Sequence, residues 1–179
     1  RCRTIFEIRK FTHKTRVAKV LQFYTRREID DCTILKIMAS KLIRKVISTP
    51  NAPKAAGPYS QAIVADRTIY VAGQLGLDPK DSKFVGEDIQ SQTRQCLNNI
   101  KSILEAGDSS LEKVVKVTVY LADINDYQPM NAIYSEFFEG NKPARVALQV
   151  AHLPKSARVE IDAIGMVGDV VTESPPANL

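Results

Sequence analysis

Hydrophobic and polar positions follow two different rhythms along this chain. From Val114 to Leu121, Val115, Val117, Val119 and Leu121 alternate with Lys116, Thr118 and Tyr120. That period of two predicts a strand. From Glu87 to Ala106 the stripe is Ile89, Thr93, Cys96, Leu97, Ile100, Ile103 and Leu104, one face of an amphipathic helix. Gly107 follows as its C-cap, and Ser109 or Ser110 caps one further turn. Asn125 or Asp126 is placed to cap a second helix, Tyr127 to Phe138, with Met130, Tyr134, Phe137 and Phe138 apolar.

Shorter runs complete the pattern. Leu42 to Ile47 reads as a strand, and Ser48 to Pro58, rich in proline, as an irregular loop. Gln61–Ala65 and Thr68–Ala72 read as a hairpin turning on Asp66-Arg67, and Leu77 to Gly86 as a polar loop. Ala144–Ala151 and Arg158–Val167 are the last strands, joined around Leu153-Pro154. The order β-β-β-α-β-α-β-β predicts an α+β domain with a mixed sheet and both helices on one face. No internal repeat appears.

Two helices cover only one face of such a sheet, and strand residues alternate between faces. In the last two strands, Val146, Leu148, Val150, Val159, Ile161 and Ala163 are assigned to the helix-covered core. Arg145, Ala147, Gln149, Glu160, Asp162 and Ile164 then share the other face with Lys116, Thr118 and Tyr120. That face is mixed, and a second subunit is its simplest cover, although antiparallel sheets also tolerate a solvated face.

Charge divides the chain. Of the 25 Lys/Arg and 20 Asp/Glu, residues 1–37 hold ten basic and four acidic groups, a net of +6. The remainder nets −1, so the high pI belongs to the N-terminal segment. Residues 1–37 read as a translated leader or tail in preference to a mitochondrial presequence, because serine is not enriched and Glu28, Asp30 and Asp31 interrupt the segment. Met38-Ala39-Ser40-Lys41 reads as a start, which sets residues 38–168 as the domain and 169–179 as a tail. Cys2, Cys32 and Cys96 form neither a disulfide framework nor a zinc pattern, which fits a reducing, cytoplasmic setting. No apolar run is long enough to span a membrane.

The candidate chemistry is sparse. His152 is the domain's one histidine, so a histidine metal site or a catalytic triad is not expected. Gly73-Gln74-Leu75-Gly76 lacks the ending of a phosphate-binding loop, Cys96 lies on the apolar helix stripe, and no cofactor is implied. Glu160 stands out between Val159 and Ile161. A carboxylate there is partly desolvated, which raises its pKa and suits it to exchange protons with water. Arg145 suits a bidentate grip on a carboxylate. Pattern alone leaves two readings open, a site built on both residues or a cross-strand ion pair between them.

Gly57-Pro58-Tyr59-Ser60-Gln61-Ala62, Val71-Ala72-Gly73-Gln74, Asn131 with Tyr134, Pro143-Ala144-Arg145, Leu153-Pro154 and Val159-Glu160-Ile161 occur in this order. The ordered set closely resembles the Rid family of reactive-intermediate deaminases, also called the YjgF family, over about Lys41 to Gly168. The resemblance implies a chorismate-mutase-like fold and a homotrimer with sites between subunits. It implies hydrolysis of 2-iminobutanoate and 2-iminopropanoate to 2-oxo acids and ammonia. Arg145 would bind the substrate carboxylate and Glu160 would hold the attacking water. Tyr59 would line the pocket from a neighbouring subunit, Gly73 and Gln74 would line the cleft, and Asn131 would add a polar contact. Ala147 stands where many members have a cysteine, so a thiol mechanism is not expected, and Ala72 stands where serine is common. Relatives described as single-strand endoribonucleases and translation inhibitors make RNA an alternative target, which the domain's charge and its lack of aromatic platforms disfavour. A non-enzymatic chaperone or carboxylate-binding trimer is the third reading.

Overall fold

The computed structural model describes residues 43–140 and 142–173. The expectations for residues 1–37, for Met38 and for the end of the tail lie outside these residues. Six strands and two helices follow one another as β1 (Arg44–Ile47), β2 (Ala62–Ala65), β3 (Thr68–Leu75), α1 (Ile89–Ala106), β4 (Val114–Leu121), α2 (Tyr127–Phe137), β5 (Ala144–Gln149) and β6 (Val159–Met166). This is the expected order.

The strands form one sheet, ordered β1-β2-β3-β6-β4-β5. Only β4 and β5 run parallel, and every other neighbouring pair is antiparallel. The last strand in sequence therefore sits inside the sheet, between β3 and β4. α1 packs across β3 and β6, and α2 packs against α1. Every residue of the predicted α1 stripe is buried, from Ile89 through Leu104. They meet Ile69, Val71, Val117, Val119, Val159 and Ile161 in one core.

Local chemistry sets the element ends. The Asp88 carboxylate accepts hydrogen bonds from the backbone N–H of Ser91 at 2.8 Å and from its hydroxyl at 2.6 Å, which caps α1. These bonds lower the Asp88 pKa. Asp66 takes φ = 55° in the two-residue turn between Ala65 and Thr68, a conformation that aspartate tolerates. At the start of α2, Asp126 precedes Tyr127 as expected, but its side chain makes no cap. Its carboxylate is held instead by the Arg158 guanidinium, at 3.0 Å from Nε and 2.8 Å from Nη2. That fork joins the start of α2 to the residue before β6.

Two buried amides on α1 hold the strand ends. Gln92 accepts from the backbone N–H of Arg158 at 2.9 Å and donates to the Gly86 carbonyl at 3.0 Å. Asn99 donates to the carbonyls of Leu75 and Leu77 at 3.1 and 3.0 Å. Both satisfy backbone groups that leave the sheet ladder, so they are bonded although buried.

Gly76 lets the chain pass this close to α1. A Cβ on Gly76 would lie 2.5 Å from the Gln92 Cα, a backbone atom that cannot rotate away. Gly76→Ala is expected to destabilise the domain by about 1–3 kcal/mol through overpacking. Urea unfolding checks this, and an unchanged midpoint would refute the close-approach account.

Candidate active site

Glu160 lies on β6, where burial alternates strictly along Val159–Met166. Val159, Ile161 and Ala163 enter the core, while Glu160 is half-buried on the opposite face. Its carboxylate rests directly on Gly73 of β3, and a Cβ at Gly73 would overlap it. The strand makes room by a β-bulge. Three steps along β3, from Val71 to Gln74, match two along β6, from Ala163 to Ile161. The expected end of this strand at Ala72 is therefore corrected: β3 continues past the bulge to Leu75. A bulge at a glycine interrupts the alternation that marks a strand, which is why the sequence pattern stops short.

Burial, and then the nearby Asp162 carboxylate, push the Glu160 pKa up. Directly across the ladder from Glu160 stands Tyr120, whose hydroxyl donates to Asp162 at 3.0 Å. Glu160 opens into a cleft of about 120 Å³ that Tyr59, Gln61, Gly73, Gln74 and Pro154 also line. Tyr59 stands at the mouth, and its hydroxyl accepts from the Ala56 N–H at 3.1 Å. The fully buried Gln61 shapes the wall. Its oxygen accepts from the Thr49 N–H at 2.6 Å, and its nitrogen donates to the carbonyls of Thr49, Ala52 and Pro53. On the other side, Lys155 and Ser156 both have left-handed backbones, φ = 56° and 58°. For residues with a Cβ this costs about 1–2 kcal/mol each, and Lys155 also lines the cleft.

Arg145 lies elsewhere. It is the second residue of β5, opposite Val117 of β4, and Val117 faces the helices. Residues paired across a ladder point to the same face, so Arg145 points towards α2. Its guanidinium sits 4.4 Å from the Tyr134 ring centroid, and Nη2 donates to the Tyr127 hydroxyl at 3.3 Å. Asn131 lies beside the same phenol and, with Arg145, lowers its pKa. Arg145, Asn131 and Tyr134 line a separate depression of about 480 Å³.

This overturns the assignment of faces in β5. Val146 and Leu148, expected in the core, are the residues on the open face, 43% and 38% exposed. Arg145, Ala147 and Gln149 turn to the helix side. The assignment on β6 stands. The two strands differ because β5 is an edge strand, parallel to β4, where apolar residues face outward instead of into the core. The cross-strand ion pair between Arg145 and Glu160 is overturned as well. β4 separates their strands, and their ladder partners on β4, Val117 and Tyr120, are three residues apart and so on opposite faces.

Of the six residues singled out from sequence, the structure gathers Glu160, Gly73, Gln74 and Tyr59 in one cleft and Arg145 with Asn131 in another. Within this one chain Tyr59 and Glu160 line the same cleft, and the Arg145 group stands apart. The sequence reading missed Tyr127 as a partner of Arg145, and it missed the Gln61 clamp and Lys155. The i, i+4, i+7, i+11 spacing of Tyr127, Asn131, Tyr134 and Phe138 is a helical row that carried the first signal. Among the described residues, no group of three or more His, Cys, Asp or Glu is placed to hold a metal. Cys96 is wholly buried and its thiol pKa is pushed well up by that burial.

A family model described as Endoribonuclease L-PSP matches residues 49–167. The chain is 50% identical to the human protein named 2-iminobutanoate/2-iminopropanoate deaminase over 135 residues, 75% of this chain and 98% of the human one. It is 46% identical to the Drosophila melanogaster RutC family protein UK114 over 135 residues, again 75% and 98% of the two chains. Among solved structures, E. coli TdcF with bound serine is similar at a TM-score of 0.66 and 35% identity, covering 69% of this chain and 99% of that one. Yeast Mmf1 is similar at 0.68 and 38%, covering 70% and 100%.

The raised pKa of Glu160 has a consequence for stability. A carboxyl group whose folded pKa exceeds its unfolded value stabilises the fold when protonated, and that contribution is lost as pH rises through the folded pKa. Glu160→Gln is expected to match the wild type in stability at acid pH and to exceed it once pH passes above the usual carboxylate range. Denaturant midpoints measured across pH check this. A gap that narrows as pH rises would refute it.

Proposed function

This chain belongs to the endoribonuclease L-PSP family, the Rid family that its motifs resemble, and on that premise we propose that it is a hydrolytic deaminase converting 2-iminobutanoate and 2-iminopropanoate to the 2-oxo acids and ammonia. The observation that carries this reading is the half-buried Glu160 carboxylate, seated on a bare glycine backbone in a small cleft, with its pKa raised by burial. Such a group takes up a proton more readily than an exposed carboxylate does, and can return it.

A protonated imine is already electrophilic at C2. Water held by Glu160 attacks C2, and its proton passes to the carboxylate as the new C–O bond forms. Glu160 returns the proton to the nitrogen of the resulting carbinolamine. The C–N bond breaks as the C2 hydroxyl becomes the carbonyl and gives up its own proton, so that nitrogen departs as ammonia and, with that proton, as ammonium. The 2-oxo acid remains. Arg145 holds the substrate carboxylate in a two-point grip and sets C2 against the water. Tyr59, Gly73 and Gln74 line the Glu160 side, and Asn131 lies beside Arg145 on the other. No step needs a thiol, consistent with alanine at position 147.

The two halves lie on opposite faces of one sheet, so they complete a site only between subunits. We place the Glu160 half of one subunit against the Arg145 half of the next, in a homotrimer. The exposed Val46, Tyr70, Val146 and Leu148 support this, because large apolar residues left open on a sheet face call for cover. Among the described residues no helix is long and apolar enough to cross a membrane, and a cytoplasmic location is part of the proposal.

The family's description also names an endoribonuclease. The net charge of −1 outside residues 1–37 gives a phosphate backbone little to hold. RNA cleavage that stays with the protein through purification and survives Glu160→Gln would favour that reading.

Coupling the purified protein to a threonine dehydratase and following the loss of imine tests the deaminase. Glu160→Gln should lower kcat about a hundredfold or more, and Arg145→Ala should lower kcat/KM about ten- to a hundredfold. The acid limb of the kcat/KM profile should fall through a pKa above the usual carboxylate range. Unfolding and refolding equal amounts of Arg145→Ala and Glu160→Ala subunits together should restore about a quarter of wild-type activity, through mixed trimers with one intact site each. No recovery on mixing would refute the inter-subunit site.

A further inference from the structure

Tyr127, Asn131, Tyr134 and Phe138 recur at i, i+4, i+7 and i+11, so they form one row along α2 and its C-cap. Arg145 lies over this row. Tyr127 meets the guanidinium through its hydroxyl, at 3.3 Å from Nη2. Tyr134 meets it through its ring face, with Cζ 4.4 Å from the centroid, well within cation–π range. Behind that ring Phe138 is stacked, 4.6 Å between centroids and 29° between planes.

The Tyr134 hydroxyl is the unusual atom. The residue is 7% exposed, and its oxygen is the one buried side-chain polar atom among the described residues without a hydrogen-bond partner. A buried unbonded hydroxyl is unfavourable, so neither hydrogen bonding nor charge explains the residue. Burial drives its pKa to about 12 and keeps it neutral. What remains is the ring, wedged between Phe138 and the guanidinium. None of the described ion pairs includes Arg145. The aromatic face and the Tyr127 hydroxyl are therefore what orient it.

We propose that Tyr134 is the positioning residue for Arg145, an aromatic shelf that fixes the guanidinium plane so that its outer edge is presented to a carboxylate. A free arginine side chain loses much rotamer freedom when it grips a ligand. A shelf that removes this freedom beforehand strengthens substrate binding and leaves the chemistry at Glu160 untouched. The inference rests on the assignment of Arg145 to the substrate carboxylate.

The test measures imine turnover and, by calorimetry, binding of 2-oxobutanoate to the full chain. Tyr134→Phe keeps the shelf and removes the unbonded hydroxyl, and it should leave KM and kcat within about twofold of wild type. Tyr134→Leu removes the shelf, and it should raise KM and weaken 2-oxobutanoate binding about five- to thirtyfold with kcat little changed. In an Arg145→Ala background the same leucine substitution should add nothing. Should the leucine variant not fold, mono-, tri- and pentafluorophenylalanine at position 134 keep the shape and progressively weaken the ring face, and KM should rise along that series. A flat fluorine series overturns the shelf. So does a phenylalanine variant as impaired as leucine, or a leucine effect that persists without Arg145. Wild-type binding of 2-oxobutanoate unaffected by Arg145→Ala would instead overturn the assignment of Arg145, and that result is independent of Tyr134.

Discussion

β6 is paired along both edges, with β3 on one side and β4 on the other, and the rest of the structure depends on that placement. A central strand has no freedom of register, because a one-residue slip would exchange its faces. Val159, Ile161 and Ala163 are driven against α1, and Glu160 and Asp162 are thereby driven to the opposite face. The acidity of Glu160 follows from its neighbours in the sheet. Strands close in on both sides, Gly73 lies beneath its carboxylate, and Asp162 stands two residues along on the same face.

The surroundings of β6 serve the same end. The Arg158–Asp126 fork and the Gln92 amide pin the residue that precedes the strand. Asn99 pins the departing end of β3. Gln61 pins the loop that walls the cleft. Gln92, Asn99 and Gln61 are buried polar side chains bonded to backbone groups, the arrangement that turns a loose loop into a defined wall. The strained Lys155-Ser156 turn completes the rim, and such strain persists only where surrounding structure holds it.

Arg145 obeys a different constraint. It is on an edge strand and over the aromatic row of α2, so it is oriented by rings and a hydroxyl, with no carboxylate from the described residues beside it. On the proposed reading, one chain thus carries a proton-handling half at Glu160 and a carboxylate-gripping half at Arg145, and the two face apart. The exposed apolar residues on the open side of the sheet and the separation of the two halves support the same proposal, a site finished by a second copy of the chain.

Element order, the α1 stripe and the inward set of β6 were legible in the sequence, because each depends on local periodicity against one buried face. Glu160 was legible for the same reason, as a charge inside an apolar strand, and the motif order pointed to the family. The bulge at Gly73 was not, since an extra residue is defined only by the strand opposite. The face of β5 was not either. Val146 and Leu148 look like core residues until the sheet order places them on an uncovered edge, and Arg145 looks like a partner of Glu160 until β4 comes between them. Residues close in sequence reveal their own alternation, whereas which strand lies next to which is decided by packing across the whole domain. The amino-acid sequence by itself thus singled out Glu160 and Arg145, the residues proposed to carry the chemistry. Only the tertiary structure decided that they stand on opposite faces, because a side chain's face depends on its strand's neighbours in the sheet.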